Sequence, residues 1–213
     1  MWKGSLVSFT SAELERIRAF AREHSDRILD ILVYGSTVRG RRAPGDLDVL
    51  VVLRDVTSQE YVDIPYRLRK VLEKERGEGQ LDVKGVKTEE FLDPNYLART
   101  RVLIEAYSLL HDDFLCKRFG LAPHALFTFD LKGLTRSEKT RFHYAMKGRS
   151  GEPGVLDELG GVHLGRGVVL VPINAAGDFC DLLELWNVGY EVFYGMAEER
   201  ILERKRSPGA RPA

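Results

Sequence analysis

Residues 31–53, ILVYGSTVRGRRAPGDLDVLVVL, constrain the fold more than any other stretch. An apolar run, Ile31-Leu32-Val33-Tyr34, stops at Gly35-Ser36. A basic segment with Gly40, Pro44 and Gly45 follows, and Asp46-Leu47-Asp48 then opens a second apolar run, Val49 to Leu53. Short apolar runs bounded by Gly and Pro read as buried strands. A strand from Asp46 to Leu53 has a period of two, which puts Asp46 and Asp48 on one face. Adjacent carboxylates repel each other unless a positive charge lies between them, and a divalent cation is the usual answer. Capping of the Pro44-Gly45 turn would explain Asp46. It does not explain Asp48, because an acid inside an apolar strand needs a partner. Gly35-Ser36 stands where a strand ends, and there a missing Cβ and free backbone N–H groups suit a phosphate.

Gly35-Ser36, Asp46 ten residues on, and Asp48 between apolar neighbours resemble the signature of the polymerase-beta-like nucleotidyltransferases. With Arg39-Gly40 added, the stretch is most similar to the minimal nucleotidyltransferases, and the resemblance covers the N-terminal half of the chain. It implies a third carboxylate on a later strand, and Leu81-Asp82-Val83 fits that place. It further implies that Asp46, Asp48 and Asp82 are catalytic and bind Mg²⁺ or Mn²⁺. Gly35, Ser36 and Arg39 would contact the phosphates of an NTP, ATP foremost. The expected reaction is transfer of a nucleoside monophosphate to an acceptor hydroxyl with release of pyrophosphate. A P-loop is a poorer match: Gly35 and Gly40 have its glycine spacing, but Arg41 and Arg42 replace its lysine and hydroxyl.

The fold class expected is α/β: a small mixed-sheet domain with flanking helices, then a C-terminal α/β accessory domain. The boundaries read as 1–118 for the first domain, 124–206 for the second and 207–213 for a frayed tail. A chain of 213 residues can bury a sizeable core. With 32 basic and 32 acidic residues its formal net charge is zero, so any nucleic-acid site must be a local patch. No signal peptide and no apolar run long enough to span a bilayer is legible, so a cytoplasmic protein without membrane contact is expected. Cys116 and Cys180 read as free buried thiols rather than zinc ligands. Oligomeric state is left open.

Two capping boxes, Thr10-Ser11-Ala12-Glu13 and Thr135-Arg136-Ser137-Glu138, open helices that run to about His24 and Lys147. A helix is expected over 61–76, starting no earlier than Asp63 if Pro65 is to sit near its start, and a strand over 80–86. Asp93-Pro94 reads as the start of a long helix to His111. In the second half, strands are expected at 126–131, 168–171 and 190–194, with helices at 155–159, 178–186 and 196–206.

Lys132 to Arg149 holds six basic residues against Glu138 alone. On a helix, Arg136, Lys139, His143 and Lys147 line one face while Phe142 and Met146 suit a core. That face is a candidate for binding an acceptor such as RNA, although a protein side chain or a small molecule is equally compatible as acceptor; a solvated helix face is the plainer alternative. Gly148 to Gly151 is too short a match to a nucleic-acid-binding GXXG loop to count. Two rival classes stay open: an antitoxin-type binding protein of the minimal nucleotidyltransferase kind, and a nucleic-acid-binding module on the same fold.

Overall fold

The computed structural model describes residues 9–40, 46–76, 81–149 and 151–199. By its internal contacts the chain divides into one unit of residues 9–38 and 46–117 and another of residues 118–199 together with 39–40. Seven α-helices and two sheets are present among the described residues, a mixed α/β architecture.

The first unit opens with α1 (Ser11–Glu23) and β1 (Ile28–Tyr34), followed by β2 (Leu47–Leu53), α2 (Ser58–Arg76) and β3 (Leu81–Lys87). Then come α3 (Thr88–Leu92), α4 (Arg99–Glu105), β4 (Tyr107–Ser108) and β5 (Asp113–Phe114). The capping box forms: Glu13 N–H donates to Thr10 Oγ1 at 3.2 Å, and Thr10 N–H donates to Glu13 Oε2 at 2.6 Å. The sheet order is β3-β2-β1-β4-β5, with β2 and β3 parallel and the other pairs antiparallel. One sheet face carries Leu32, Tyr34, Leu50, Val52 and Val86, packed under Phe91, Val102 and Ala106 from α3, α4 and the residue after it. Helix α2 packs on β3 and against α1.

Three expectations for this unit change. Helix α2 begins at Ser58, so Pro65 lies inside it. The ring fits there because it nests over Gly85 of β3, where an added Cβ would come within 2.9 Å of Pro65 Cγ. Asp93 opens no long helix: its carboxylate accepts the Asn95 N–H at 2.8 Å, a local Asx turn that competes with helix initiation. Helix α4 ends at Glu105, because β1 would otherwise leave an edge unpaired and β4 fills it, Leu32 opposite Ser108. Residues 36–40 form turns; Arg41, Arg42, Pro44 and Gly45 lie outside the described residues.

In the second unit, β6 (Leu121–Phe129) leads to α5 (Arg136–Lys147), α6 (Val155–Glu158), β7 (Val162–Gly165), β8 (Val168–Pro172), α7 (Ala176–Leu185) and β9 (Tyr190–Glu198). The sheet order is β7-β8-β6-β9. Ala125, Phe127, Val169 and Val171 of the sheet bury against Phe142, Met146, Leu156 and Phe179 of the helices. The strand expected at 126–131 begins at Leu121 instead and ends at Phe129, and Met196 to Glu198, expected to be helical, is strand as well. The two segments pair residue by residue, Ala122 with Ala197 and Pro123 with Met196, and this pairing overrides local propensity. Residues 200–206 of the expected last helix and the 207–213 tail lie outside the described residues. Neither cysteine forms a disulfide; Cys116 is buried and Cys180 half-buried. No helix among the described residues is long and apolar enough to cross a membrane.

The α5 cap repeats the α1 arrangement, with Glu138 N–H on Thr135 Oγ1 at 3.3 Å and Thr135 N–H on Glu138 Oε2 at 2.8 Å. Thr135→Ala is expected to cost about 1 kcal/mol of stability in urea unfolding, because the N-terminal amide loses its acceptor.

Candidate active site

Asp48 and Asp82 face each other across the parallel β2–β3 pair, each the second residue of its strand. Tyr34, the last residue of β1, lies opposite Asp48 on the other side. The alternation that buries Leu50, Val52 and Val86 therefore sends Asp48, Asp82 and Lys84 to the same face, where α3 and α4 pack further along. Asp46 sits exposed, one residue before β2.

The electrostatics follow from that register. Burial holds the Asp48 carboxyl above the usual carboxylate range, and the Asp82 charge, then that of Asp46, pushes it further up. Lys84 and Arg101 pull the other way. The Lys84 ammonium pairs with Asp82 Oδ2, and that bond raises the affinity of Lys84 for its proton. Burial and the Asp48 charge raise Tyr34 too. Asp46, Asp48, Asp82, Lys84, Arg101 and Tyr34 thus form one electrostatic neighbourhood. Among the described residues, no group of three or more His, Cys, Asp or Glu side chains is placed to hold a metal ion. Asp82 instead has its carboxylate engaged by Lys84.

Gly35 follows β1 in the left-handed region, at φ 87°. A Cβ built on it would overlap Asp48 Oδ2, so the glycine leaves room for the carboxylate. Its N–H donates to Glu105 Oε1 at 3.2 Å, inside the unit and away from any phosphate-facing role. Its carbonyl accepts the Val38 N–H at 3.2 Å and closes a turn around Ser36 and Thr37, both half-buried.

Arg39 groups with the second unit: its carbonyl accepts the Gly177 N–H at 2.9 Å, and its guanidinium lies 5.1 Å from the centre of the Tyr194 ring. Arg136, His143 and Lys147 of α5 are exposed and Lys139 is half-buried, while Phe142 and Met146 are fully buried beneath them. A separate cavity of about 600 Å³ opens in that unit by the ends of β6 and β9; it is lined by Asp130, Glu191 and Arg166 among others, and by none of those four α5 residues.

Glu105 and Arg101 were not singled out in the sequence. Arg101 Nε lies 3.6 Å from Glu105 Oε1, one helical turn apart, and Glu105 is 1% exposed. The signal was available: Glu105 is an acid within an apolar helical run, VLIEA, which by the logic applied to Asp48 requires a partner.

Residues 14–102 match the family described as nucleotidyltransferase domain. No match was found among curated proteins or among solved structures. The matched span runs from α1 into α4 and takes in Gly35, Ser36, Asp46, Asp48 and Asp82. The N-terminal part of the chain, over residues 14–102, is a nucleotidyltransferase domain.

Proposed function

We propose that the chain moves a nucleoside monophosphate from an NTP, ATP foremost, to an acceptor hydroxyl. The acceptor oxygen bonds to the α-phosphorus, the bond to the pyrophosphate oxygen breaks, and the hydroxyl proton is lost. The observation that carries this reading is the Asp48–Asp82 pair, opposed in register at one end of the sheet of a nucleotidyltransferase domain.

The donor set fits a divalent cation. Two opposed carboxylates, one of them held above its usual range by burial and repulsion, are relieved by a hard cation. Mg²⁺ is commonly held by one or two carboxylates with substrate phosphates and water, without a full protein cage. Asp46 and Asp48 would hold Mg²⁺ or Mn²⁺, joined by Asp82 once Lys84 moves aside. Such an ion, when bound, lowers the pKa of the acceptor hydroxyl and offsets charge on the triphosphate. Ser36 would donate its hydroxyl to the terminal phosphates. Gly35 shapes that turn and gives Asp48 its room. Arg39 would join the phosphate contacts only by leaving the Tyr194 ring.

The test is incubation with each α-labelled NTP, Mg²⁺ and a lysate of the source cells, followed by sizing of the labelled species. Transfer from one NTP that disappears in Asp48→Asn supports the reading; no transfer from any of the four overturns it.

The acceptor is proposed to bind the basic face of α5. A polyanion such as RNA would track Arg136, Lys139, His143 and Lys147, and its affinity would fall steeply with salt. Reversing Arg136, Lys139 and Lys147 to Glu is expected to raise the acceptor KM by about tenfold or more and leave the NTP KM unchanged. An unchanged acceptor KM would make that face a solvated surface and shift attention to a protein acceptor.

A further inference from the structure

Glu105 takes no part in the transfer proposed above, yet the residue is buried more completely than Glu13 or Asp30. Burying a carboxylate is costly unless it is paired and hydrogen-bonded. Two of its partners are informative. One is the Gly35 N–H at 3.2 Å, seventy residues away in sequence, and the other is Arg101 at 3.6 Å. Gly35 in turn is the residue whose missing Cβ makes space for Asp48 Oδ2. A glycine has more backbone freedom than any other residue, so a left-handed turn built on it keeps one orientation only if something holds it. The buried carboxylate does so.

We propose that Glu105 is a positioning residue: by accepting the Gly35 N–H, and tethered by Arg101, it fixes the turn against which the Asp48 carboxylate rests. The proposal relies on Asp48 being a metal-binding carboxylate, as read above. Glu105 acts through Gly35 and touches neither substrate nor metal. Residues that orient a ligand in this way tune affinity without joining the coordination.

The full-length chain, labelled with ¹⁵N, supplies two readouts: the shift and hydrogen exchange of the Gly35 amide, and Mn²⁺ affinity by electron paramagnetic resonance. Glu105→Ala is expected to shift the Gly35 amide, speed its exchange and weaken Mn²⁺ binding about tenfold. Glu105→Gln keeps an acceptor oxygen in place and should hold Mn²⁺ affinity within about twofold, rescuing what alanine loses. A contact that merely stabilises the fold would lower the melting temperature in alanine and leave the affinity of the folded protein alone. Should the alanine variant fail to fold, Glu105→Asp takes its place, since it keeps the charge but withdraws the oxygen by one methylene.

An unmoved Gly35 amide, or an unchanged Mn²⁺ affinity, in the folded alanine or aspartate variant overturns the proposal. Absence of Mn²⁺ binding by the wild-type chain is a different failure. It removes the metal-site reading, and the Gly35 amide alone then decides whether Glu105 holds the turn.

Discussion

Asp48→Asn is expected to fold as wild type does, to melt at a higher temperature in metal-free buffer near neutral pH, and to lose transfer about a thousandfold, ~4 kcal/mol of barrier. The stability half of this follows from the register. Burial and the facing Asp82 raise the folded-state pKa of Asp48 above its unfolded value, so the native state holds the Asp48 proton more tightly than the unfolded state does. The charged carboxylate therefore destabilises the fold fully above that raised pKa, and the penalty fades as pH falls through it toward the unfolded value. The gap in melting temperature between variant and wild type should accordingly close in acid. The activity half follows because an amide is a poor ligand for a hard divalent cation. Calorimetry at neutral and acid pH with the labelled-NTP assay checks both; undiminished transfer by the variant would remove Asp48 from the chemistry.

Gly35→Val carries the second large effect. At φ 87° a β-branched residue is strained, roughly 1–3 kcal/mol for the backbone alone. Its Cβ also falls on Asp48 Oδ2, so either the turn or the carboxylate must move. Loss of Mn²⁺ and NTP binding should accompany the loss of stability. Gly35→Ala should show the same pattern less severely, since the overlap is with the Cβ itself but the branched methyls are gone. Urea unfolding gives the first quantity and equilibrium binding the second. A valine variant that binds NTP normally would place the triphosphate elsewhere.

What the sequence made legible was local. The two capping boxes at Thr10 and Thr135 need only four residues each, and both form as written. Asp48 stood out because a strand's period of two makes an acid in an apolar run conspicuous, whereas Asp82 was singled out by the third carboxylate that the resemblance implies. The direct opposition of the two depends on strand pairing, which no local pattern states. Long-range pairing also accounts for the errors. Strand β4 exists because β1 offers an edge, and the end of β9 is extended because β6 lies beside it. Pro65 looked misplaced within a helix until Gly85, twenty positions on, supplied the space. Gly148 has a structural duty: at φ 79° it ends α5, and a Cβ there would collide with the backbone of Glu152 and Gly154. Glu105 was readable by the same logic as Asp48. Its link to Gly35 was not, because it spans two elements that only the folded sheet brings together.

The parallel alignment of β2 with β3 also bears on how the sheet assembles. Sliding β3 by a single residue would turn Asp82 and Lys84 to the opposite face, against α2, and bring Leu81 and Val83 out beside Asp48. A charged pair forced under a helix is far harder to accommodate than one left at the rim, so the misaligned sheet is rejected during folding. The carboxylates that make the site expensive to hold together are thus also its proofreaders: a chain that has paired its strands out of step cannot hide the mistake.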